Sequence, residues 1–223
     1  MISKKTKSAL YQKWMSEFTA QKGSKSTYTR PALQPARSVS SEVPAYKVSS
    51  PYQPFSIPDS FIVLDLETTG FSHYKNNIIE VAAIKVRNFR ATTRISHLVR
   101  LPKKETIPPI VQEITGITER MLASKGIDIK DAIESVRTFI GDETLIIHNA
   151  PFDTRFLKVH MPLNNKVICS LSLSRRAFPD IGSHKLSYLK DCFGSDVEES
   201  HRALADCYAV IDVVRACKKA LST

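Results

Sequence analysis

Short apolar runs separated by polar turns fill the chain from residue 58 onward and predict a folded domain over 58–223. The run FIVLDLETTG starts with four apolar residues and predicts a buried strand over 61–66. A turn is predicted at 88–91, between the second and third strands. The other four strands are predicted over 78–86, 94–101, 144–147 and 167–169.

Apolar residues at three- and four-residue spacing predict helices between and after these strands. The stretch 128–140 is amphipathic and ends at Gly141. Pro151 opens another helix, where its missing N–H costs nothing. The remaining helices are predicted over 109–114, 118–124, 170–178, 185–192 and 202–221. Three strands followed by alternating helices and strands indicate an α/β fold with one mixed sheet and helices on its faces.

Residues 1–57 differ from this domain in both pattern and charge. Ser, Pro, Thr and Lys dominate 20–58, which predicts a flexible linker. An apolar stripe predicts a short helix over 8–20, which would dock on a partner or pack on the domain. Nine Lys/Arg and two acidic residues give 1–57 a net charge of +7, most of the chain's +10. A basic arm suits a polyanionic partner such as nucleic acid or serves as a solubilising tail, and the charge alone does not distinguish them.

Cysteine usage and hydropathy exclude several classes of protein. The four cysteines have no CxxC spacing, which predicts reduced thiols and no disulfide framework or thiolate zinc site. No apolar run approaches the length of a membrane span, and residues 1–20 lack the apolar core of a signal peptide. We therefore expect a cytoplasmic protein with no membrane partner.

Two carboxylates stand at the end of the first predicted strand. Asp65 and Glu67 alternate with Leu64 and Leu66, so both carboxylates project to one face of the sheet. Neighbouring carboxylates repel each other, and Mg²⁺ or Mn²⁺, which prefer oxygen ligands, would relieve the repulsion. A strand end that emerges into solvent is the alternative, and the pair alone does not decide between them.

Asp206 opens the apolar stripe of the last predicted helix. At about 100° per residue, Val210 and Val213 lie within about 40° of Asp206, whereas Asp212 falls on the polar side. A carboxylate on an apolar stripe needs a partner. The partner would be a metal shared with Asp65, a buried arginine, or the helix N-terminus itself.

Asp153 and His201 are weaker candidates when taken singly. Asp153 lies in the first turn of a predicted helix between Phe152 and Phe156, although acids are common in first turns without any function. His201 lies five residues before Asp206 and would reach the metal site only if it preceded the helix. From there it could take a proton from water; an exposed loop histidine is the alternative.

Taken together and in order, these residues resemble a known family, the DEDD 3′→5′ exonucleases in their histidine variant (DEDDh, DnaQ-like). The motifs are Asp65-x-Glu67 in DLETTG, Asp153 in HNAPFD, and His201-x4-Asp206 in HRALAD. The stretch ITGIT at 114–118 is similar to the family's intermediate motif. The resemblance covers about residues 60–217 and is nearest to the proofreading exonucleases of bacterial replicative DNA polymerases. It implies a ribonuclease H-like mixed five-stranded sheet with helices on both faces.

The resemblance also implies a two-metal mechanism with Mg²⁺ or Mn²⁺. In this mechanism Asp65 bridges both ions, Glu67 and Asp206 complete one ion, and Asp153 helps to hold the second. His201 takes a proton from the attacking water. The products are nucleoside 5′-monophosphates.

Contacts to the last nucleotides of the substrate follow from the same resemblance. Aromatic and apolar surfaces suit stacking on a frayed single-stranded end, although core packing is the alternative for the two phenylalanines. The predicted contacts are Thr68, Thr69, Phe71, Ile117, Asn149 and Phe152.

Two features test the assignment to the histidine variant. The tyrosine variant's motif also occurs, as Tyr208-x3-Asp212, but it would place Asp212 on the polar face beside Arg215. We therefore reject that register. Relatives often carry an Asp-Thr pair where this chain has Cys169-Ser170. This difference weakens a close subfamily assignment but puts no catalytic group in doubt.

The expected function is metal-dependent 3′→5′ hydrolysis of single-stranded or frayed DNA ends, in proofreading or repair, in the bacterial cytosol or nucleoid. Because of the basic arm, we expect a stand-alone exonuclease with a tether and not a polymerase. One alternative is a 3′→5′ exoribonuclease, because the residues that would read the ribose 2′-OH are not placed. The other is a docking subunit that binds a polymerase or another replication or repair protein through residues 1–57.

Overall fold

A computed structural model describes residues 56–193 and 201–222. The helix predicted over 8–20 and the arm at 1–57, except its last two residues, lie outside this part of the chain. The strands are β1 (Ser60–Thr68), β2 (Ile78–Arg87), β3 (Arg90–Leu98), β4 (Leu145–Ile147) and β5 (Val167–Cys169). The helices are α1 (Pro109–Thr115), α2 (Glu119–Lys125), α3 (Ile129–Ile140), α4 (Pro151–His160), α5 (Ser170–Ala177), α6 (Leu186–Phe193) and α7 (Ala203–Leu221).

The five strands form one mixed sheet in the order β3-β2-β1-β4-β5. β1, β2 and β3 pair antiparallel, whereas β4 and β5 run parallel to β1. β1 is therefore the central strand, and the predicted mixed five-stranded sheet is confirmed. Because β4 has only three residues, β1 continues beyond its end. The carboxyl end of β1 is consequently open on the β4 side, and ligands commonly bind at such places in α/β sheets.

The two faces of the sheet carry different helices. Leu64 and Leu66 of β1 belong to a buried core that includes residues of α3 and α4. On the other face α7 packs against β1 and β2, and the Cys207 thiol lies 3.6 Å from the Ala82 carbonyl oxygen. Ala82 is the cross-strand partner of Asp65, so Asp65 faces α7. Helices on both faces of the sheet are thus confirmed, as is the predicted alternation along β1.

The β2–β3 hairpin differs from its prediction. The turn predicted at 88–91 consists of Asn88 and Phe89 alone, with left-handed φ values of 49° and 58°. Two left-handed residues form the tight connection whose twist matches paired strands. The third strand predicted over 94–101 begins at Arg90 and ends at Leu98. Its first five residues, RATTR, are all exposed on the sheet edge and are polar except for Ala91, so no apolar pattern marked them as a strand.

Most helix boundaries follow the signals in the sequence. Asp128 precedes α3 and its side chain accepts a hydrogen bond from the Lys130 backbone N–H, which caps the helix. Gly141 ends α3 with a positive φ of 47°. α7 buries Val210 and Val213 against the sheet, which confirms the predicted core-facing stripe.

Two exclusions made from the sequence can be compared with the structure. All four cysteines are free thiols, as predicted for reduced cysteine. Within residues 56–193 and 201–222, the helices are too short or too polar to cross a bilayer.

Candidate active site

Three carboxylates meet where the end of β1 faces the start of α7. Asp65 and Glu67 come from β1, and Asp206 lies in the first turn of α7. One oxygen from each of the three carboxylates lies within 4.8 Å of the other two. All three side chains are partly exposed, so ions and water reach them. An oxygen-only set of this kind could hold a hard divalent cation such as Mg²⁺ or Mn²⁺.

A fourth carboxylate, Asp153, enters from α4. The Leu66 N–H points towards the β4 side, as the Ile62 N–H does where it donates to the Thr144 carbonyl at 2.9 Å. β4 ends too early to accept from Leu66, and the Asp153 Oδ1 accepts this hydrogen bond at 3.2 Å. Asp153 is only 3% exposed, and after burial its charge is the next cause that raises the pKa of Asp65. Asp65, Glu67, Asp153 and Asp206 are called the carboxylate cluster below.

The carboxylate cluster concentrates negative charge in a partly buried place. Burial raises the pKa of Asp153 to about 8 and that of Asp206 to about 7. Burial, and then repulsion from neighbouring carboxylates, raises the pKa values of Asp65 and Glu67 well above their usual range. Protons compensate this charge near neutral pH when cations are absent. Divalent cations would compensate it more completely, so the residues present fit a metal site.

His201 could reach the metal site only if it preceded the last helix, and the structure meets this condition. It precedes α7, whose first flanking residue is Arg202, and it has a left-handed φ of 60°. Its backbone N–H donates a hydrogen bond to the Asp206 carboxylate and lowers the pKa of that group. The partly exposed His201 is therefore held next to the cluster, and its role as a proton acceptor stays a prediction.

Three of the predicted substrate contacts have exposed surface. The Phe71 and Phe152 rings pack edge to face, with centroids 6.2 Å apart, and Phe152 also contacts the buried Phe156 at 5.1 Å. Phe71 and Phe152 are both partly exposed, and Phe152 directly precedes Asp153 in α4. Asn149 is exposed, with a left-handed φ of 59°. Phe71 and Phe152 thus pack on other rings of the domain and also present a surface to solvent.

The other three predicted contacts are buried. The Thr68 hydroxyl donates to the Gly70 carbonyl at 2.7 Å, and the Thr69 hydroxyl accepts from the Asn77 N–H at 2.9 Å. Both hydroxyls thus shape the loop after β1. Ile117 is fully buried in the core. These three residues therefore leave little exposed surface for contact with a nucleotide.

A buried ion pair that the sequence did not indicate anchors the start of α7. Glu80 is 1% exposed and is the cross-strand partner of Glu67. Arg202 donates to both Glu80 oxygens, at 2.8 and 3.1 Å, and the Ala203 N–H donates to one of them at 3.0 Å. We call this arrangement the Glu80–Arg202 clamp. Its only signal in the sequence is an acid within the apolar run IIEVAAI.

Lys190 on α6 is a second residue that the sequence reasoning missed. It is buried, with 7% of its surface exposed, and its charge lowers the pKa of Asp206. The signal was again a charged residue at an apolar position of a helix.

A histidine network, also missed from the sequence, holds the segment between β4 and α4. The His148 Nε2 lies 3.1 Å from the His184 carbonyl oxygen, and its Nδ1 lies 3.0 Å from the Ser170 hydroxyl. A carbonyl only accepts, so Nε2 carries the proton and Nδ1 accepts from Ser170. Burial lowers the pKa of His148 to about 4, so the imidazole stays neutral. This network fixes the loop that leads to Asp153.

The metal-free protein is expected to lose stability as the pH rises through 7 and 8. The pKa values of Asp206 and Asp153, about 7 and about 8 in the folded protein, exceed the value of about 4 in an unfolded chain. The folded state therefore binds more protons over this range, and the stabilisation, complete below about pH 4, is lost as the pH passes these pKa values.

Mg²⁺ competes with these protons, so it should raise the melting temperature more at about pH 8.5 than at about pH 6. Thermal unfolding in chelator and in Mg²⁺ at both pH values measures the effect. A metal-free protein that becomes more stable between these two pH values would contradict the prediction.

The chain is similar to known exonucleases and DNA polymerase III proteins over most of residues 58–223. A family model described as exonuclease matches residues 62–214. The DNA polymerase III subunit epsilon of Aquifex aeolicus is 31% identical over 153 residues, which is 66% of this chain and 74% of that protein. The DNA polymerase III PolC-type of Clostridium perfringens is 32% identical over 165 residues, which is 72% of this chain. The chain spans only 11% of the length of that PolC-type protein.

Two solved structures resemble the fold. A structure of exonuclease X in complex with 5′-overhanging duplex DNA has a TM-score of 0.57 and 30% identity, and the match covers 71% of this chain and 91% of that one. A zinc-bound complex of E. coli exonuclease I with single-stranded DNA has a TM-score of 0.64 and covers 72% of this chain and 40% of that one. At 19% identity, the second likeness shows the shared fold alone.

Proposed function

Because the chain belongs to the exonuclease family whose model matches residues 62–214, we propose that it removes nucleotides from 3′ ends of single-stranded or frayed DNA in a metal-dependent reaction. The products are nucleoside 5′-monophosphates. The proposal is carried by the three carboxylate oxygens within 4.8 Å of one another at the open end of β1.

The carboxylate cluster would hold two divalent cations, Mg²⁺ or Mn²⁺. Glu67 and Asp206 would hold one ion together with Asp65, and Asp153 would share the second with Asp65. Ions bound there would activate a water molecule and would stabilise the charge that develops on the leaving 3′ oxygen.

The chain's own residues supply orientation and a proton acceptor. His201, tied to Asp206 through its backbone N–H, takes a proton from the attacking water. Asp153 keeps its position because it accepts from the Leu66 N–H. The exposed surface of Phe71 and Phe152 offers a stacking platform for a frayed terminal base, which needs no sequence readout.

Similarity favours DNA as the substrate. The relatives described above are DNA polymerase III proteins, and the exonuclease X structure, at 30% identity, holds DNA. A role in proofreading or repair follows from this proposal. Residues 1–57 would then recruit the domain to a polymerase or another replication or repair protein.

Degradation of matched DNA and RNA strands tests the proposal. The purified protein is incubated with 5′-labelled single-stranded DNA and RNA of the same sequence, in Mg²⁺, in Mn²⁺ and in chelator. A ladder that shortens the DNA from its 3′ end, and that disappears in chelator, is expected. Faster shortening of RNA would support an exoribonuclease instead. Intact strands under every metal condition would overturn the enzymatic proposal and favour a docking subunit.

Substitution of Asp206 and Asp212 on the same helix separates the two possible registers of the last motif. Asp206→Ala is expected to lower the rate by about 10³-fold or more, because a metal ligand supplies several kcal/mol of transition-state stabilisation. Asp212→Ala should stay within about twofold of the unsubstituted protein, because Asp212 forms an exposed ion pair with Arg215 at 2.7 Å. The tyrosine register predicts the reverse order. Initial rates on single-stranded DNA decide between them.

A further inference from the structure

The loop between β1 and β2 presents a tyrosine to solvent. Tyr74 is 86% exposed, more than any other large hydrophobic side chain in the described part of the chain. Single exposed apolar side chains are common and need no function. Tyr74 differs in two respects, because hydrogen bonds close the loop that carries it and because its ring continues a series of aromatic contacts that starts beside the carboxylate cluster.

Contacts within the loop hold it in one shape. At its base the Thr69 N–H donates to the Asn77 carbonyl at 2.9 Å. The Asn76 side-chain oxygen accepts from the Ser72 N–H at 2.9 Å, and the Asn76 N–H donates to the Ser72 carbonyl at 2.8 Å. Asn76 also lies so close to Gly70 that a Cβ there would come within 2.8 Å of its amide atoms. A ligand that binds this loop therefore has little ordering entropy to overcome.

A series of ring contacts connects Tyr74 with the residues beside the carboxylate cluster. The His73 ring centroid lies 3.9 Å from that of Tyr74 and 6.3 Å from that of Phe156. The buried Phe156 in turn contacts Phe152 at 5.1 Å, and Phe152 directly precedes Asp153. His73 and Phe152 are both partly exposed. We call Tyr74, His73, Phe156 and Phe152 the aromatic row.

The surroundings of Tyr74 suit a nucleic-acid strand. The sequence has no acidic residue over 68–79, and the exposed Lys75 follows Tyr74 directly. An aromatic ring next to a cation is the combination that binds single strands without sequence readout, because the base stacks on the ring and the cation attracts the phosphate. Because the aromatic row leads from Tyr74 to Asp153, the strand favoured here is the substrate itself.

On the premise of the function proposed above, we propose that Tyr74 is a second stacking subsite, which binds the base of a nucleotide on the 5′ side of the bond that is cleaved. The stacking platform of Phe71 and Phe152 takes the bases at the 3′ end, and the strand then passes over His73 to Tyr74. Tyr74 contacts the substrate far from the reacting atoms. It therefore strengthens binding only of strands long enough to reach it, and it leaves the chemical step unchanged.

The length dependence of KM in Tyr74→Ala tests this subsite. Oligothymidylates of two to twelve nucleotides serve as substrates in Mg²⁺. For the longest, KM should rise at least about fivefold, the lower end of what one base stacked on an aromatic ring contributes, while kcat stays within about twofold. For the dinucleotide KM should not change, because both of its bases lie at the stacking platform. Tyr74→Phe keeps the ring and should behave as the unsubstituted protein at every length.

Leu221→Ala is the matched control for loss of an exposed apolar side chain. Leu221 lies 15 residues after Asp206, about 22 Å along α7, and should leave KM unchanged at every length. Thermal unfolding checks that Tyr74→Ala keeps the fold, which is expected because truncation of an exposed side chain costs little stability.

Other outcomes would overturn the inference in distinguishable ways. An equal rise in KM at every length would show that Tyr74 acts only on the shape of the loop after β1. Unchanged KM at every length, with the unsubstituted protein shortening DNA, would remove Tyr74 from the path of the strand and favour a protein partner for the exposed ring, and the proposed function would stand. An unsubstituted protein that shortens no oligothymidylate in Mg²⁺ or Mn²⁺ would overturn the proposed function as well.

Discussion

Asp65→Asn is expected to lower exonuclease activity by about 10³-fold or more and, at the same time, to raise the melting temperature of the metal-free protein. Asp65 stands at the centre of the carboxylate cluster. Its pKa is raised by burial and then by the charges of Asp153, Asp206 and Glu67. The amide removes one of the repelling charges and also a ligand that both metal ions would need.

Calorimetric unfolding in chelator at about pH 8 measures the gain in stability, which should reach several degrees. The same experiment in Mg²⁺ should narrow or reverse the difference, because only the unsubstituted protein keeps the full ligand set. Asp59→Asn is the control, since Asp59 lies just before β1 and forms an exposed ion pair with Lys218 at 2.6 Å. A metal-free Asp65→Asn protein that melts at a lower temperature would contradict the prediction.

Such a trade between stability and activity is expected wherever a site gathers like charges before its ligand arrives.

Part of the site could be predicted from the sequence, because two of its acids interrupt an apolar pattern. Asp65 alternates with buried leucines along β1, and Asp206 heads the apolar stripe of α7, so both stand out from local periodicity. Asp153 and His201 have no such local signal. They were identified through the order of motifs in a resembling family.

The parts of the structure that were not predicted depend on contacts distant in sequence. Glu80 and Arg202 lie 122 residues apart, and the pattern IIEVAAI shows a buried acid without showing its partner. Lys190 is a similar case, because the apolar spacing of α6 predicts its burial without showing what lies against it. The polar start of β3 was missed because an exposed edge strand needs no apolar alternation.

Arg202→Met is expected to destabilise the protein by about 3–5 kcal/mol, which lowers the melting temperature of a domain of this size by about 10 °C. The substitution leaves the Glu80 side chain, 2% exposed, without its cation and opposite Glu67 across the strands. It also frees the start of α7, so activity should fall as His201 and Asp206 lose their alignment. Thermal and urea unfolding, with rates on single-stranded DNA, measure these effects.

Glu80→Gln should cost less than Arg202→Met, because the two ends of the Glu80–Arg202 clamp differ in exposure. The Arg202 side chain is 30% exposed and regains water when its partner loses charge, and the amide oxygen still accepts from the Ala203 N–H. The double variant Glu80→Gln/Arg202→Met should be more stable than Arg202→Met alone, since it leaves no unpaired buried charge. Costs that simply add in the double variant would show that the clamp carries no coupling energy. In that case the start of α7 would be held by its apolar packing against β1 and β2.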